Sequence, residues 1–388
     1  MAMELAFALI NPYSIAKSRT GGIIGRFMSR TGLEIVAARM FGPSAELVAR
    51  YSEQIREDAE IEQPARHLLA EYVQRAYAPD PKTGRRRRVL MLLFEGDDAV
   101  ERIRRVAGPI RPNADAGETV RDTFGDYIVG DDGQVRYIEP AVLVGVTPRR
   151  AASVLRLWTE YSERDGGVVA GAVDVNDHPD QQRTLVLIKP DNFKFPSSRP
   201  GNIIDLFSRS GLRIVGAKIH RMSVAEAEEF YGPVRTLLRT KLKEMVGERA
   251  ARAVSKDLGI EIPTDLQTRL GEELGPHYGD QQFYQIIHFM TGYRANACTP
   301  EERVIPGKER CLALVYAGVD AVAKIRGILG PTDPSKAEPG QVRREFGQDV
   351  MINAAHASDS PENAAREMKI VKVEKDMIRF WVDKYYPA

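Results

Sequence analysis

Cysteine, tryptophan and histidine are all scarce in this chain of 388 residues, with two, two and six copies. Cys298 and Cys311 alone make no disulfide framework and lack metal-ligand spacing, which points to a reducing compartment and a cytoplasmic setting. No apolar run approaches the ~20 residues needed to cross a bilayer, so no membrane partner is expected. The stretch Met1 to Phe7 carries Glu4 and lacks a basic segment followed by a long apolar core, so it does not read as a secretory signal. Excess charge of either sign is missing too. Lys and Arg number 55 against 54 Asp and Glu, a formal net charge of +1. That balance gives no bulk electrostatic case for nucleic acid or a membrane surface. Arg85 to Arg88 form a local basic run directly before the apolar stretch Val89 to Phe94, and read as a solvated strand entry rather than a phosphate patch. What remains is a composition of 43% hydrophobic and 28% charged residues, that of a soluble globular protein long enough for two or three domains.

An internal repeat organises the chain. Phe7-Ala-Leu-Ile-Asn-Pro12 matches Leu185-Val-Leu-Ile-Lys-Pro190. The stretch from Arg26 to Val36 matches Leu206 to Val215, Leu93 to Arg104 matches Val315 to Arg326, and Val120 to Gly125 matches Val342 to Gly347. Four blocks in one order indicate duplication of a whole domain. The copies are read as residues 1–165 and 183–388, joined by a linker over 166–182. Each alternates short strands with amphipathic helices, which implies a two-layer α+β domain. In the second copy, strands are expected at Thr184–Lys189, Leu212–Ile219, Cys311–Tyr316 and Asp349–Ile352. Helices are expected over about Gly201–Arg209, with Gly211 at its end, from Val224 onward, and over Val319–Leu329. Between Tyr231 and Gly318 lie 86 residues, where the first copy has 44 between Tyr51 and Gly96. The surplus, about 235–279, has helical apolar spacing punctuated by Pro263 and Gly271.

Chemistry gathers near the C-terminus, in Asn353-Ala-Ala-His356-Ala-Ser358-Asp359-Ser360-Pro-Glu362. The spacing places His356 at the end of a strand, on a tight turn, with Ser360-Pro361-Glu362 starting a helix that brings up Glu367. A neutral imidazole can attack phosphorus when its other nitrogen is oriented by an acceptor. A plain polar turn with an exposed histidine has the same spacing. The other second-copy histidines, His220, His277 and His288, read as structural.

The stretch N-x-x-H-A-S-D-S closely resembles the active-site signature of nucleoside diphosphate kinases. Lys189-Pro190-Asp191 after the first strand resembles another family motif. The resemblance covers most of residues 183–371 and, more weakly, 4–165. It implies two tandem ferredoxin-like domains, each an antiparallel sheet covered by helices. It implies a phosphohistidine on His356, oriented by Ser358 and Glu367, with Tyr231 beside it. Lys189, Arg326, Thr332 and Arg343 would contact phosphates, Phe283 would stack on the base, and Asn353 would meet the sugar. Asp359 would bind metal or hold the turn. Mg²⁺ would enter mainly on the phosphates of a nucleoside di- or triphosphate, so no dedicated metal ligands are expected. Asp333 and Pro331 depart from the family's usual loop. The first copy has Asn11 where the second has Lys189, Ile110 where it has Thr332, and apolar residues in the segment from Glu139 to Pro148 that matches the signature. Its only histidine is His67, so phosphohistidine chemistry is unavailable there.

Two functions fit. One is a phosphotransferase moving the γ-phosphate of a nucleoside triphosphate to a diphosphate through His356. The other is a nucleotide sensor or scaffold that keeps the site without turnover. Relatives of this family form oligomers, so a homo-oligomer, or a fused pair replacing one interface internally, is the expected assembly.

Overall fold

The computed structural model describes residues 3–111, 117–172 and 180–387. The chain divides into two compact units, residues 1–220 with 312–388, and residues 221–311.

In the larger unit the first copy starts with β1 (Met3–Ile10), α1 (Pro12–Ala16) and α2 (Thr20–Thr31). Gly32 ends α2 at φ +66°, a left-handed conformation that suits glycine. β2 (Glu34–Phe41) leads to α3 (Ala45–Arg56), whose N-cap Ser44 accepts from the Leu47 amide. α4 (Gln63–Tyr77), β3 (Val89–Asp97), α5 (Ala99–Ala107) and α6 (Val120–Phe124) follow. β4 (Asp126–Val129) and β5 (Val135–Glu139) form a small ribbon. β6 (Val142–Val144), α7 (Pro148–Glu160) and α8 (Ser162–Asp165) complete the copy. The main sheet runs β2-β3-β1-β6, its paired strands antiparallel, with Ile10 opposite Val142 and Ala8 opposite Val144. Of the expected linker, residues 173–179, including His178, lie outside the described residues.

The second copy repeats this plan with β7 (Gln181–Ile188), α9 (Arg199–Ser208) and β8 (Arg213–His220). In the smaller unit come α10 (Val224–Lys241), α11 (Lys243–Leu258) and α12 (Thr264–Thr291). Then follow β9 (Cys311–Val319), α13 (Ala321–Leu329), α14 (Val342–Phe346), β10 (Ala355–Ala357), α15 (Pro361–Val371) and α16 (Ile378–Tyr385). The sheet order is β10-β7-β9-β8, the ferredoxin-like arrangement of the first sheet read from the other edge. Tandem α+β architecture is therefore as expected. The last strand is not. Val350-Met351-Ile352 forms no strand, because the Asp349 carboxylate accepts from the Met351 and Ile352 amides and bends the chain. The strand lies at 355–357, with His356 at its centre rather than on a turn beyond it.

Within the larger unit the copies are fastened in two ways. α2 crosses α9 where a Cβ on Gly201 would stand 2.2 Å from the Gly21 carbonyl oxygen, so only glycine permits this approach. The copies also exchange segments. After α8, the Val169 amide donates to Val215 O on β8. After α15, the Arg39 guanidinium of β2 donates to Glu374 O at 3.2 Å, and α16 packs on α7, β1 and β2. The Tyr386 hydroxyl donates to Leu5 O at 2.6 Å.

In the smaller unit, Gly271 does not interrupt the chain as expected. It lies inside the 28-residue α12. A Cβ there would meet Lys243 O at 2.5 Å, and one on Gly247 would meet Gln267 O at 2.5 Å. With Gly275 and Gly279 it forms a seam at four-residue spacing along which α10 and α11 lie close to α12. Pro263 does punctuate, as the residue before α12.

Asp205 on α9 faces α2 at this crossing and accepts from the Gly22 amide. Burial lifts its carboxyl to about 6. The folded state therefore favours the protonated acid, and this group's contribution to stability falls as pH rises from about 4 to about 6. Asp205→Asn keeps the acceptor without the charge. It should raise stability by about 1–2 kcal/mol at pH 7.5 and leave it unchanged at pH 4, discounting the full shift for partial exposure. Urea denaturation at the two pH values checks this, and an equal effect at both would remove the charge as the cause.

Candidate active site

β10 is an edge strand of three residues, and its register is set by β7: His356 stands opposite Leu187 and Ala355 opposite Ile188. The kink before it is made by Ala354 at φ +69°, an uncommon conformation for a residue with a side chain. Its carbonyl is held on two sides, by the Lys189 amide at 2.9 Å and by Asn192 Nδ2 at 2.8 Å. Asn192 was not singled out in the sequence. Its side chain also accepts from Arg199 Nε at 3.2 Å, so α9, the loop after β7 and the strand holding His356 are tied together.

The following helix supplies the carboxylate. Ser360 caps α15 by accepting from the Asn363 amide, with Pro361 in its first turn. Glu367, two turns on, is 4% exposed. Its Oε2 lies 2.9 Å from His356 Nε2 and accepts from the Ser358 hydroxyl at 2.6 Å. Ser358, Glu367 and His356 are therefore brought together as the spacing suggested. Asp359 accepts from Asn363 Nδ2 at 2.6 Å and so holds the turn. Lys218 on β8 donates to Val371 O and Lys372 O, closing the far end of α15.

Lys189 is 8% exposed. Its ammonium donates to Asn353 Oδ1 at 2.6 Å and to Met351 O at 3.2 Å. Burial, with the Arg343 charge second, pulls its pKa down to about 7. Asn353 spends its amide inside the protein, Nδ2 donating to Thr332 O at 3.1 Å and Val350 O at 2.9 Å. Arg343 braces the backbone, donating to Gly330 O at 3.0 Å and to Ala355 O at 3.2 Å. Arg326, in the last turn of α13, and Thr332 are exposed. In the smaller unit, Tyr231 is buried with its ring 4.9 Å from that of Phe230. Phe283 is buried too, with the Arg235 guanidinium 5.3 Å over its ring, held by Arg235 pairing with Asp280.

Among the described residues, no three His, Cys, Asp or Glu side chains converge on a common point. Glu367 is engaged by the imidazole and the Ser358 hydroxyl, and Asp359 by Asn363.

The family model described as nucleoside diphosphate kinase matches residues 4–131, 182–241 and 275–377, most of the chain and both copies.

The chain belongs to the nucleoside diphosphate kinase family.

Curated nucleoside diphosphate kinases of Bdellovibrio bacteriovorus and Staphylothermus marinus are 33% and 28% identical to it. They match over 49% and 51% of this chain and 91% and 96% of their own. A crystal structure of the Aquifex aeolicus nucleoside diphosphate kinase has 25% identity and a TM-score of 0.30, covering 49% of this chain and 94% of that one. Each relative is thus about half as long as this tandem member of the family.

The first copy keeps the same backbone and replaces the chemistry. Ala141, at φ +60°, matches Ala354, and the Asn11 amide donates to Ala141 O at 3.0 Å as Lys189 does to Ala354 O. Register then puts Leu143 at the place of His356. Arg121 repeats Arg343, donating to Gly108 O and to Val142 O. Where Lys189 meets Asn353, Asn11 instead donates to Glu139 at 3.1 Å and accepts from Tyr77 at 2.6 Å, while Tyr72 donates to Glu139 at 2.8 Å. The cavity beside Tyr51, Arg104, Ile110 and Arg121 is only about 80 Å³, well below small-ligand size.

These braces predict a structural cost for Arg343. Arg343→Ala should lower unfolding free energy by about 2–3 kcal/mol, from charged donors lost to two carbonyls. Chemical denaturation without nucleotide measures it. An unchanged midpoint would show that the arginine serves bound phosphate alone.

Proposed function

We propose that the chain transfers the γ-phosphoryl group of a nucleoside triphosphate to a nucleoside diphosphate through a phosphohistidine on His356. One observation carries this reading: Glu367 Oε2 sits at hydrogen-bond distance from His356 Nε2 while also accepting from Ser358. A carboxylate there holds the proton on Nε2, which directs the lone pair to Nδ1. Nδ1 attacks the γ-phosphorus, a P–N bond forms, and the bond from that phosphorus to the bridging oxygen breaks. The diphosphate leaves with the electron pair. In the second half a terminal phosphate oxygen of the acceptor attacks, the P–N bond breaks, and the imidazole is restored. The Nε2 proton stays against Glu367 throughout, because the cationic ring of the phosphohistidine is stabilised by that carboxylate.

Lys189, with a pKa near 7, is readily recharged by an approaching phosphate, which would offset the desolvation that lowers it. Arg326 and Thr332, exposed near the α13 end, are assigned to the phosphates. Magnesium carried on the nucleotide phosphates would supply further charge neutralisation there. The first copy, with Leu143 at the nucleophile position, takes no part in the chemistry and serves as a structural partner.

Labelling with γ-³²P-ATP and Mg²⁺, followed by a GDP chase, tests the reading. Acid-labile label should form on the wild type, be absent from His356→Ala, and pass to GTP. Glu367→Ala should slow labelling by about 10²-fold. ATP bound without label would replace the kinase by a nucleotide sensor. Label that resists GDP would point to another acceptor.

A further inference from the structure

The arginine run that the sequence presents as a solvated strand entry is built differently in the structure. Arg88 is buried, donating to Ile214 O at 2.7 Å, and Arg85 and Arg86 are half-buried. With Arg87, Arg75 of α4 and Arg213 at the start of β8, they line a cavity of about 390 Å³. It lies where the first copy meets β8, apart from the collapsed cleft beside Tyr51. Its volume suits a small ligand.

The lining is strongly one-signed in a chain of nearly balanced charge. Among the described residues its one acid is Glu139, whose carboxylate accepts from Tyr72, Asn11 and the Ala141 amide. Asp80 pairs with Arg87 at 3.2 Å. Tyrosines add ring surface: Arg75 lies 6.0 Å over Tyr137, and Tyr13 also lines the wall. Like charges drawn into a concavity raise its potential, and guanidinium groups engage phosphate oxygens bidentately. A cavity of this size excludes a duplex or a membrane surface and admits a compact anion.

We infer that this cavity is a second anion site, built to bind a di- or oligophosphate, free or as part of a nucleotide. The site stands independently of turnover at His356.

Calorimetric titration of inorganic pyrophosphate into the full chain tests it. Arg75 and Arg213 are exposed, so their replacement should leave the fold intact, which circular dichroism checks. Arg75→Ala with Arg213→Ala should weaken pyrophosphate binding at least tenfold. Arg75→Lys with Arg213→Lys should recover part of it, and Lys189→Ala should change it less than twofold. Affinity should fall steeply between 50 mM and 500 mM NaCl. Competition separates the two sources of phosphate. Stronger displacement by ADP assigns a nucleotide with its ring on Tyr13 or Tyr137, and stronger displacement by inorganic tripolyphosphate assigns a bare oligophosphate. No binding at 5 mM pyrophosphate, the same affinity in the double alanine variant, or loss only with Lys189→Ala would overturn the inference.

Discussion

One carboxylate oxygen, Oε2 of Glu367, holds the candidate site together. It receives the Ser358 hydroxyl and faces His356 Nε2, so it can do so only if α15 is docked to within a few tenths of an ångström. The helix is fixed at both ends, by Ser360 at its start and by Lys218 on its last carbonyls. Just beyond, Arg39 of the first copy holds Glu374 O. The copy that lacks a counterpart of His356 thus reaches the segment that directly follows α15 in the copy that has it. This gives the first copy a structural role beside the segment that follows α15.

The two copies show what a backbone retains when the side chains around it change. The left-handed alanine, the arginine on two carbonyls and the short edge strand occur in both. These features satisfy buried backbone groups, and that need does not depend on catalysis. The groups that would touch substrate differ. An Asn–Glu–Tyr network replaces the Lys–Asn pair, and leucine replaces histidine. Burying an ammonium without use for it would cost free energy, and the neutral amide with two tyrosines removes that cost.

In the helical unit from Arg221 to Cys311, glycines bring helix backbones together beside buried side chains such as Phe230, Phe283, Ile287 and Met290. Gly247, Gly271, Gly275 and Gly279 let backbones approach, and Arg235, Arg239 and Asp280 add paired charges along the same helices. Phe283 belongs to this packing, with its ring beneath Arg235.

The sequence by itself determined the duplication, the α+β class, the grouping of His356 with Ser358 and Glu367, and that the first copy has an apolar residue where the second has His356. Those follow from residue identity and, for the site, from spacings of two to eleven positions, which a strand-turn-helix converts directly into proximity. Tertiary structure alone decided where the final strand lies, because a local apolar run at 350–352 lost to an Asp349 turn. It alone turned Arg343 and Asn353 onto the carbonyls of Gly330, Ala355 and Thr332, since these lie 12 to 21 residues away. It also converted Arg85 to Arg88 from a surface run into a cavity wall. The opposing residues, Arg75 and Arg213, come from other elements, and no local pattern in the chain encodes that they meet.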